Sequence, residues 1–334
     1  MRRALLLAVL GAAAAVVPVA GASQLIDRNA TDVELLVNAK GEALISYRAG
    51  GVEKHVLVWG AVNAIAPTPS GKQVAFQVDY TGGWGKYYLS DPSVRELQAK
   101  YKQIRLTPGY LSSPTVKELA AKSSFAKNYW KDSFGGTCAP YDGPKLAWFV
   151  AACKAPDGSY WALQSWQRAL PDYGVTPTTA QAAWELRLSH WTGPLPVLTI
   201  STDWAWRQWD HLYGTFTYEG KPVFGYKSTL AGEPLDTFGR NIYVDTLDSV
   251  YGGGWRRENS FLTHTGSGAF CYSVNPHGSH PSGKGTMYRA TVEGPGVTPD
   301  VMWEGNAPGP YDAAADAIAN QSIAALGDSR CKPN

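Results

Sequence analysis

The sequence lacks an excess of charge of either sign. It contains 30 Lys and Arg against 28 Asp and Glu, and two of the arginines, Arg2 and Arg3, stand at the extreme N-terminus. Without these two, basic and acidic residues are equal in number, at 28 each. A nucleic-acid-binding protein needs a basic surface, and contact with anionic lipid needs a polybasic run. The charge balance therefore favours neither nucleic acid nor a lipid surface as partner.

Long apolar runs are absent after the N-terminus. Residues 1–22 begin with a basic pair, continue with the apolar run 4–17 and end on Ala20-Gly21-Ala22. This order is typical of a secretory signal peptide with an A-x-A cleavage site. The alternative is an uncleaved anchor, although the run stops at Pro18 and is short for a membrane span of about 20 residues. We expect a secreted, extracellular protein with no membrane span after signal cleavage.

Signatures of catalysis and of cofactor binding are missing as well. The sequence has no G-x-S-x-G, no H-E-x-x-H, no Walker A motif and no C-x-x-C pair. These motifs would indicate a serine hydrolase, a metalloprotease, a phosphate-binding loop and a zinc-thiolate site. The sequence therefore predicts no cofactor and no metal. A Ser/His/Asp triad built from distant residues stays open, because such a triad forms on any fold.

Cysteines are few and even in number. In an exported chain, four cysteines indicate two disulfides, for which three connectivities exist. We favour Cys138–Cys153, which closes a short loop around a predicted strand, and Cys271–Cys331, which ties the C-terminal tail to another strand. A disulfide-stabilised protein follows from this pattern.

Aromatic residues are abundant, with 13 Trp and 18 Tyr, and 44% of the chain is hydrophobic. This composition excludes a disordered chain. Apolar and polar residues alternate in segments such as 73–80 and 184–189, which predicts half-buried strands. Other runs, notably 146–152, are apolar on both faces and predict strands buried between two layers. Turns such as Lys40-Gly41 join neighbouring runs into hairpins, giving about eleven or twelve strands.

Helices are predicted at two places. Ser90-Asp91-Pro92 and Ser113-Pro114 each combine a capping residue with a proline at the first helical position, which predicts a small helical insertion at about 91–130. A C-terminal helix is predicted at about 310–326, where Gly327 ends it.

These elements predict a mainly β protein. Residues 23–334 are expected to form a single β-rich domain, an antiparallel β-sandwich or a wide open barrel. The alternative is a domain boundary within 104–140.

The densest polar segment, 236–264, is the candidate for chemistry. Its carboxylates could perform general acid–base catalysis as in glycosidases, so the candidate catalytic residues are Asp245, Asp248, Glu258 and His264. The same segment could instead bind a ligand, through Arg240 and Arg256, or hold a structural Arg–carboxylate network beneath a long loop. Gly252-Gly253-Gly254 is predicted to lie in that loop.

Tryptophan clusters are the second signal. On a strand, Trp204 and Trp206 share one face. Exposed, this face would be a platform on which sugar rings stack; inside, it would be core. Trp161 and Trp166 fall on opposite faces of one strand, so at most one of them is an obvious core residue. His190 lies on an apolar strand face and is expected to be a core histidine with its hydrogen bonds satisfied.

Two functions follow from these patterns. The first is a secreted, disulfide-stabilised protein that binds or supports structure at the cell envelope or outside the cell, with polysaccharide or another envelope component as ligand. The second is a secreted, glycosidase-like hydrolase that uses carboxylates of 236–264. A pair of carboxyls about 5–5.5 Å or 6.5–9.5 Å apart in a cleft would favour the hydrolase.

Overall fold

The fold is known for most of the chain outside the N-terminal segment and the predicted insertion. The computed structural model describes residues 23–61, 76–88, 134, 137–170, 176–205, 209–222, 226–228, 234–236, 241–249, 252–260, 268–274, 285–293 and 299–327. The predicted signal peptide and the predicted helices at 91–130 lie outside these residues.

Nineteen strands occur in the described residues, more than the eleven or twelve predicted. They are β1 (Gln24–Arg28), β2 (Thr31–Val37), β3 (Glu42–Ala49), β4 (Val52–Gly60), β5 (Phe76–Asp79), β6 (Ala139–Pro140), β7 (Phe149–Lys154), β8 (Tyr160–Trp166), β9 (Glu185–Trp191), β10 (Val197–Ala205), β11 (Trp209–Tyr218), β12 (Lys221–Pro222), β13 (Tyr226–Ser228), β14 (Pro234–Asp236), β15 (Asn241–Ser249), β16 (Gly252–Ser260), β17 (Ala269–Val274), β18 (Met287–Glu293) and β19 (Val301–Asn306). Part of the excess arises because four strands are only two or three residues long, which is too short for a periodic pattern, and β16 occupies residues that were expected to form a loop.

The strands form four sheets, and all their pairings are antiparallel. Sheet A has the order β1-β9-β8-β7-β6, and sheet B has the order β2-β3-β4-β5. Sheet C contains β10, β11, β12 and β17, and sheet D contains β13, β14, β15, β18 and β19 with β16 beside β15. The predicted mainly β, antiparallel class is confirmed. Sheets A and B come from strands before residue 192, and sheets C and D from strands after it.

Sheets A and B pack face to face around an apolar core. Alternate residues of β3 and β4 point at alternate residues of β8 and β9, as the period of two requires. The fully buried members include Ile45, Val56 and Val58 from sheet B and Trp161 and Leu188 from sheet A. This pair of sheets is a sandwich.

Sheets C and D form a second apolar layer pair. Ile200 and Phe216 of sheet C pack with Val244, Tyr288 and Val292 of sheet D. The β10–β11 pairing is close: a Cβ built on Gly214 would lie 1.8 Å from the backbone oxygen of Thr199. Only glycine therefore permits this approach of the two strands.

The predicted C-terminal helix is present as α1 (Ala313–Ala325). Asp312 caps it, because its Oδ1 accepts from the backbone N of Ala314 at 2.7 Å and of Ala315 at 3.1 Å. Ala319 and Ile323 are buried against Ala205 of β10.

Sheet A is covered on both faces, which corrects one expectation. Trp161 is 0% exposed and packs towards sheet B, and Trp166 on the opposite face is 1% exposed. Both tryptophans are therefore buried, so at most one obvious core residue was too low an expectation.

The disulfide Cys138–Cys153 is confirmed, and it joins the segment at β6 to β7 across a sequence separation of 15 residues. Cys271 on β17 is disulfide-bonded; Cys331 lies outside the described residues.

Replacing both Cys138 and Cys153 by alanine should lower the free energy of unfolding by about 3 kcal/mol, because an open loop of this length regains chain entropy when unfolded. Chemical denaturation without reductant measures the loss. Ala139→Ser, at an exposed position of β6, is the matched control and should change stability by less than about 0.5 kcal/mol. A loss below about 1 kcal/mol in the double variant would contradict the expected constraint.

Candidate functional site

Asp245 lies at the centre of a buried charge network. Its side chain is fully buried on β15. Oδ1 accepts from Arg257 Nε at 3.1 Å, and Oδ2 accepts from Arg289 Nε at 2.9 Å and Nη2 at 2.6 Å. Arg289 is 1% exposed and Arg257 is 8% exposed. Two guanidinium groups thus neutralise and fully engage one carboxylate.

The network follows the strand register of sheet D. Four neighbouring strands each contribute one charged residue, and each residue is opposite the next: Arg257 on β16, Asp245 on β15, Arg289 on β18 and Glu304 on β19. The charges therefore alternate in sign across the four strands. An aromatic ring flanks each arginine: the Arg257 guanidinium lies 3.7 Å from the Tyr243 ring centroid, and that of Arg289 lies 4.5 Å from the Trp255 ring centroid. The opposite face of the same strands is the apolar core shared with sheet C.

The charged face of sheet D contacts the chain just after β8. Arg257 Nη2 donates to the backbone oxygen of Arg168, and Arg289 Nη2 donates to that of Gln167, each at 3.2 Å. Arg168 Nε in turn pairs with Glu293 Oε2 at 2.6 Å. The network therefore joins sheet D to sheet A.

A second set of polar contacts extends this junction. Gln164 and Asp300 exchange two hydrogen bonds at 3.1 Å, one from Gln164 Nε2 to the Asp300 backbone oxygen and one from Asp300 N to Gln164 Oε1. Ser23 Oγ donates to Asp300 Oδ2 at 3.1 Å and accepts from Arg187 Nε at 3.1 Å. Arg187 Nη1 donates to Glu185 at 3.0 Å. All five side chains are buried.

The network corrects the expected setting of Gly252-Gly253-Gly254. These glycines begin strand β16 rather than a long loop. Gly252 and Gly254 have φ of +121° and +77°, so the run provides the backbone conformations of a tight hairpin after β15. The predicted Arg–carboxylate network exists, beneath the β15–β16 hairpin and the end of β8.

The candidate catalytic residues are not assembled into an acid–base pair among the described side chains. Asp245 is fully buried and held by two arginines. Asp248 is exposed near the end of β15, at an irregularity of the β15–β16 pairing, with φ of +52°, and its Oδ1 accepts from Gly254 N at 2.7 Å. Glu258 lies on β16 with its side chain outside the description, and His264 lies outside the described residues. Both carboxylates that can be placed accept hydrogen bonds from the protein's own groups.

Trp204, predicted as part of a ligand platform, is 4% exposed. Its Nε1 donates to the backbone oxygen of Gly309 at 2.8 Å, and its ring meets that of Tyr311 edge-on at 5.7 Å. Trp204 is therefore a core residue and offers no open ring face.

The other predicted ligand-binding residues are less defined. Trp206 and Arg240 lie outside the described residues. Arg256 is half-buried, and its Nη1 donates to the Trp255 backbone oxygen at 3.2 Å.

His190 is a buried histidine with both ring nitrogens in contact, as predicted. Nδ1 lies 2.6 Å from the Ala61 backbone oxygen, and Nε2 lies 2.9 Å from Ser159 Oγ. Because a carbonyl oxygen only accepts, Nδ1 carries the proton of the neutral ring. Ser159 Oγ also lies 2.6 Å from Asp157 Oδ1. The single hydroxyl proton of Ser159 is therefore shared between two acceptors, Asp157 Oδ1 and His190 Nε2. The ring stacks on Trp161 at 3.6 Å between centroids.

A group of rings at sheet A, one of them exposed and two half-buried, was missed at the sequence level. We call Tyr141, Phe149 and Tyr160 the aromatic patch. The Tyr141 ring lies 6.3 Å from that of Phe149 and 5.5 Å from that of Tyr160. Phe149 is 52% exposed, although the run 146–152 predicted a strand buried on both faces. Trp191, fully buried, lies beneath the tyrosines at 6.2 and 5.3 Å.

Charged groups border the aromatic patch. Lys154 Nζ pairs with Asp142 Oδ2 at 2.8 Å, and both side chains are exposed. The hydrogen bond from Lys154 holds the pKa of Asp142 below its usual value. Burial raises the pKa of Tyr141 to about 12, so its hydroxyl stays protonated and donates to the Pro144 backbone oxygen at 2.5 Å. The turn Tyr141-Asp142-Gly143-Pro144 beside Cys138 was the available sequence signal.

Comparison with protein-family models, with curated proteins and with solved structures gives no match. Within the described ranges, no three His, Cys, Asp or Glu side chains are grouped so that they could hold a metal ion. In the same part of the chain, no helix is long and apolar enough to cross a membrane.

Asp245→Asn should lower the free energy of unfolding by about 3–5 kcal/mol, because it leaves buried arginine charge uncompensated. Asp248→Asn is the matched control on the same strand. Asparagine tolerates positive φ and keeps the Oδ1 acceptor, so a change below about 0.5 kcal/mol is expected. Urea denaturation of both variants measures the difference, and equal stabilities would contradict a structural role for Asp245.

The free energy of unfolding should decrease as the pH is lowered, because of His190. Burial lowers the pKa of His190 in the folded protein to about 4, against an ordinary value near 6.5. Between these values the unfolded chain binds the proton and the folded chain does not, so acidification favours unfolding, by up to about 3 kcal/mol. Denaturation at pH 7.5 and 4.5 should show the loss, and His190→Gln should reduce it. An unchanged pH dependence in the variant would contradict this account.

Proposed function

We propose that the protein is a secreted, disulfide-stabilised protein that binds polysaccharide of the cell envelope or the extracellular space. The observation that carries the proposal is the half-exposed Phe149 ring, held beside Tyr141 and Tyr160 on the strands of sheet A. The predicted signal peptide supports export, and the confirmed disulfide is compatible with an oxidising compartment.

The chemistry of the aromatic patch suits a sugar. The C–H groups on one face of a pyranose ring are weakly positive, and an aromatic ring face is negative, so the two stack. The exposed Asp142 carboxylate and Lys154 ammonium beside the rings can accept from and donate to sugar hydroxyls. A purely apolar partner would leave this ion pair without water, at a cost.

The support beneath the patch favours binding over mere exposure. Tyr141 and Tyr160 rest on buried Trp191, Leu146 and Leu195, so both rings keep their positions without a ligand. A preformed site avoids the entropy cost of ordering side chains on binding. An open surface of this kind suits a polymer that passes across it.

The hydrolase alternative receives no support from the described side chains. Asp245, its most central candidate, already accepts three N–H groups from two arginines at 3.1 Å or less. A general acid or base must reach the reacting atom, which a fully buried and fully paired carboxylate does not.

The test is binding to a glycan array and to insoluble polysaccharides, followed by calorimetry on the ligand found. Phe149→Ala should weaken binding at least about tenfold, because a lost stacking contact of about 1.4 kcal/mol has that effect. Ile318→Ala removes an apolar side chain that is 64% exposed on α1, far from the patch in sequence, and should bind as the parent does.

Thermal unfolding of both variants checks that the fold is intact. The proposal is wrong if the parent binds no glycan, or if Phe149→Ala binds with the affinity of the parent.

A further inference from the structure

A second pair of rings lies next to the aromatic patch in the chain. We call Trp148 and Trp184 the tryptophan pair. Trp184 directly precedes β9, is 39% exposed, and meets the Trp148 ring edge-on at 5.1 Å between centroids. Trp148 directly precedes Phe149, so the tryptophan pair and the aromatic patch are neighbours in the chain at the start of β7.

The backbone at this junction is strained. Trp148 has φ of +51°, a conformation that bulky residues rarely adopt. The β7–β8 pairing is irregular between Phe149 and Ala151, and such irregularities re-aim side chains. Ser165 N donates to the Trp148 backbone oxygen at 3.0 Å and holds the strained residue in place. Strain that the surrounding structure maintains is typical of binding sites.

Trp184 is fixed from the other side. Its backbone N donates to Asn29 Oδ1 at 3.0 Å, and Asn29 N donates to the Trp184 oxygen at 2.7 Å. Next to it, Arg28 pairs with Glu185 at 3.0 Å while half of the Arg28 side chain stays exposed. An exposed ring with an ion pair close to it in the chain repeats the combination of ring and ion pair found at the aromatic patch.

We infer that the ligand is an extended sugar chain, one part of which stacks on the aromatic patch while a further unit stacks on Trp184. This inference rests on the proposed function and adds the ligand's length to it. A short oligosaccharide occupies one group of rings only. A longer chain contacts both, and because the second contact is intramolecular once the first is made, it strengthens binding without a new encounter.

The experiment is a length series of oligosaccharides from the polysaccharide that the parent binds, measured by calorimetry on the parent, Trp184→Ala and Phe149→Ala. Trp184→Ala should lose at least about tenfold in affinity for the longest chain and keep the parent's affinity for the disaccharide. Phe149→Ala should lose affinity at every length.

A second readout does not depend on Trp184→Ala folding well. Trp184→Phe keeps a ring, and the fluorescence that the parent has and this variant lacks comes from Trp184. Acrylamide should quench this Trp184 fluorescence less when the long chain is bound, and equally well with and without the disaccharide.

The outcomes separate the two proposals. Equal loss from Trp184→Ala at every length, or no loss at any, overturns the extended-chain inference and leaves the proposed function standing if Phe149→Ala still weakens binding. Affinities unchanged in both variants overturn the proposed function itself.

Discussion

The fold depends on how one buried carboxylate is neutralised. Asp245 lies on the only charged face of a sheet whose other face is apolar core, and nothing but Arg257 and Arg289 offsets its charge within hydrogen-bond distance among the described residues. Burying ions is costly unless they are paired. The arginines also donate to the chain after β8. The pairing within sheet D and the attachment of sheet D to sheet A are therefore one set of interactions.

This arrangement divides the molecule by chemistry. Sheets B and A share an apolar interior, as do sheets D and C, whereas sheets A and D meet through hydrogen bonds and ion pairs. Of the polar segment 236–264, the described residues Asp245 and Arg257 belong to this junction. We propose that ligand recognition falls instead to the aromatic patch, whose Phe149 ring is 52% exposed.

Local pattern sufficed where a property depends on neighbours in sequence. It predicted the antiparallel strands, the helix ending at Gly327, the Cys138–Cys153 disulfide and the buried His190. It failed where burial depends on layers distant in sequence. Alternation placed Trp161 and Trp166 on opposite faces, so at most one of them was an obvious core residue, but both are buried. The apolar run around Phe149 looked wholly buried, but strain at Trp148 and an irregular pairing turn the ring to solvent. Neither effect leaves a periodic signal.

The central claim is that the charged segment is structural and that the rings of sheet A carry recognition. Amide chemical shifts of the isotope-labelled protein, recorded during titration with an oligosaccharide that it binds, test this claim most directly. The account predicts that the largest shifts fall within 141–160 and around Trp184, with those of 241–258 nearly unchanged. Largest shifts at Asp245, Arg257 and their neighbours, with none at Phe149, would contradict it.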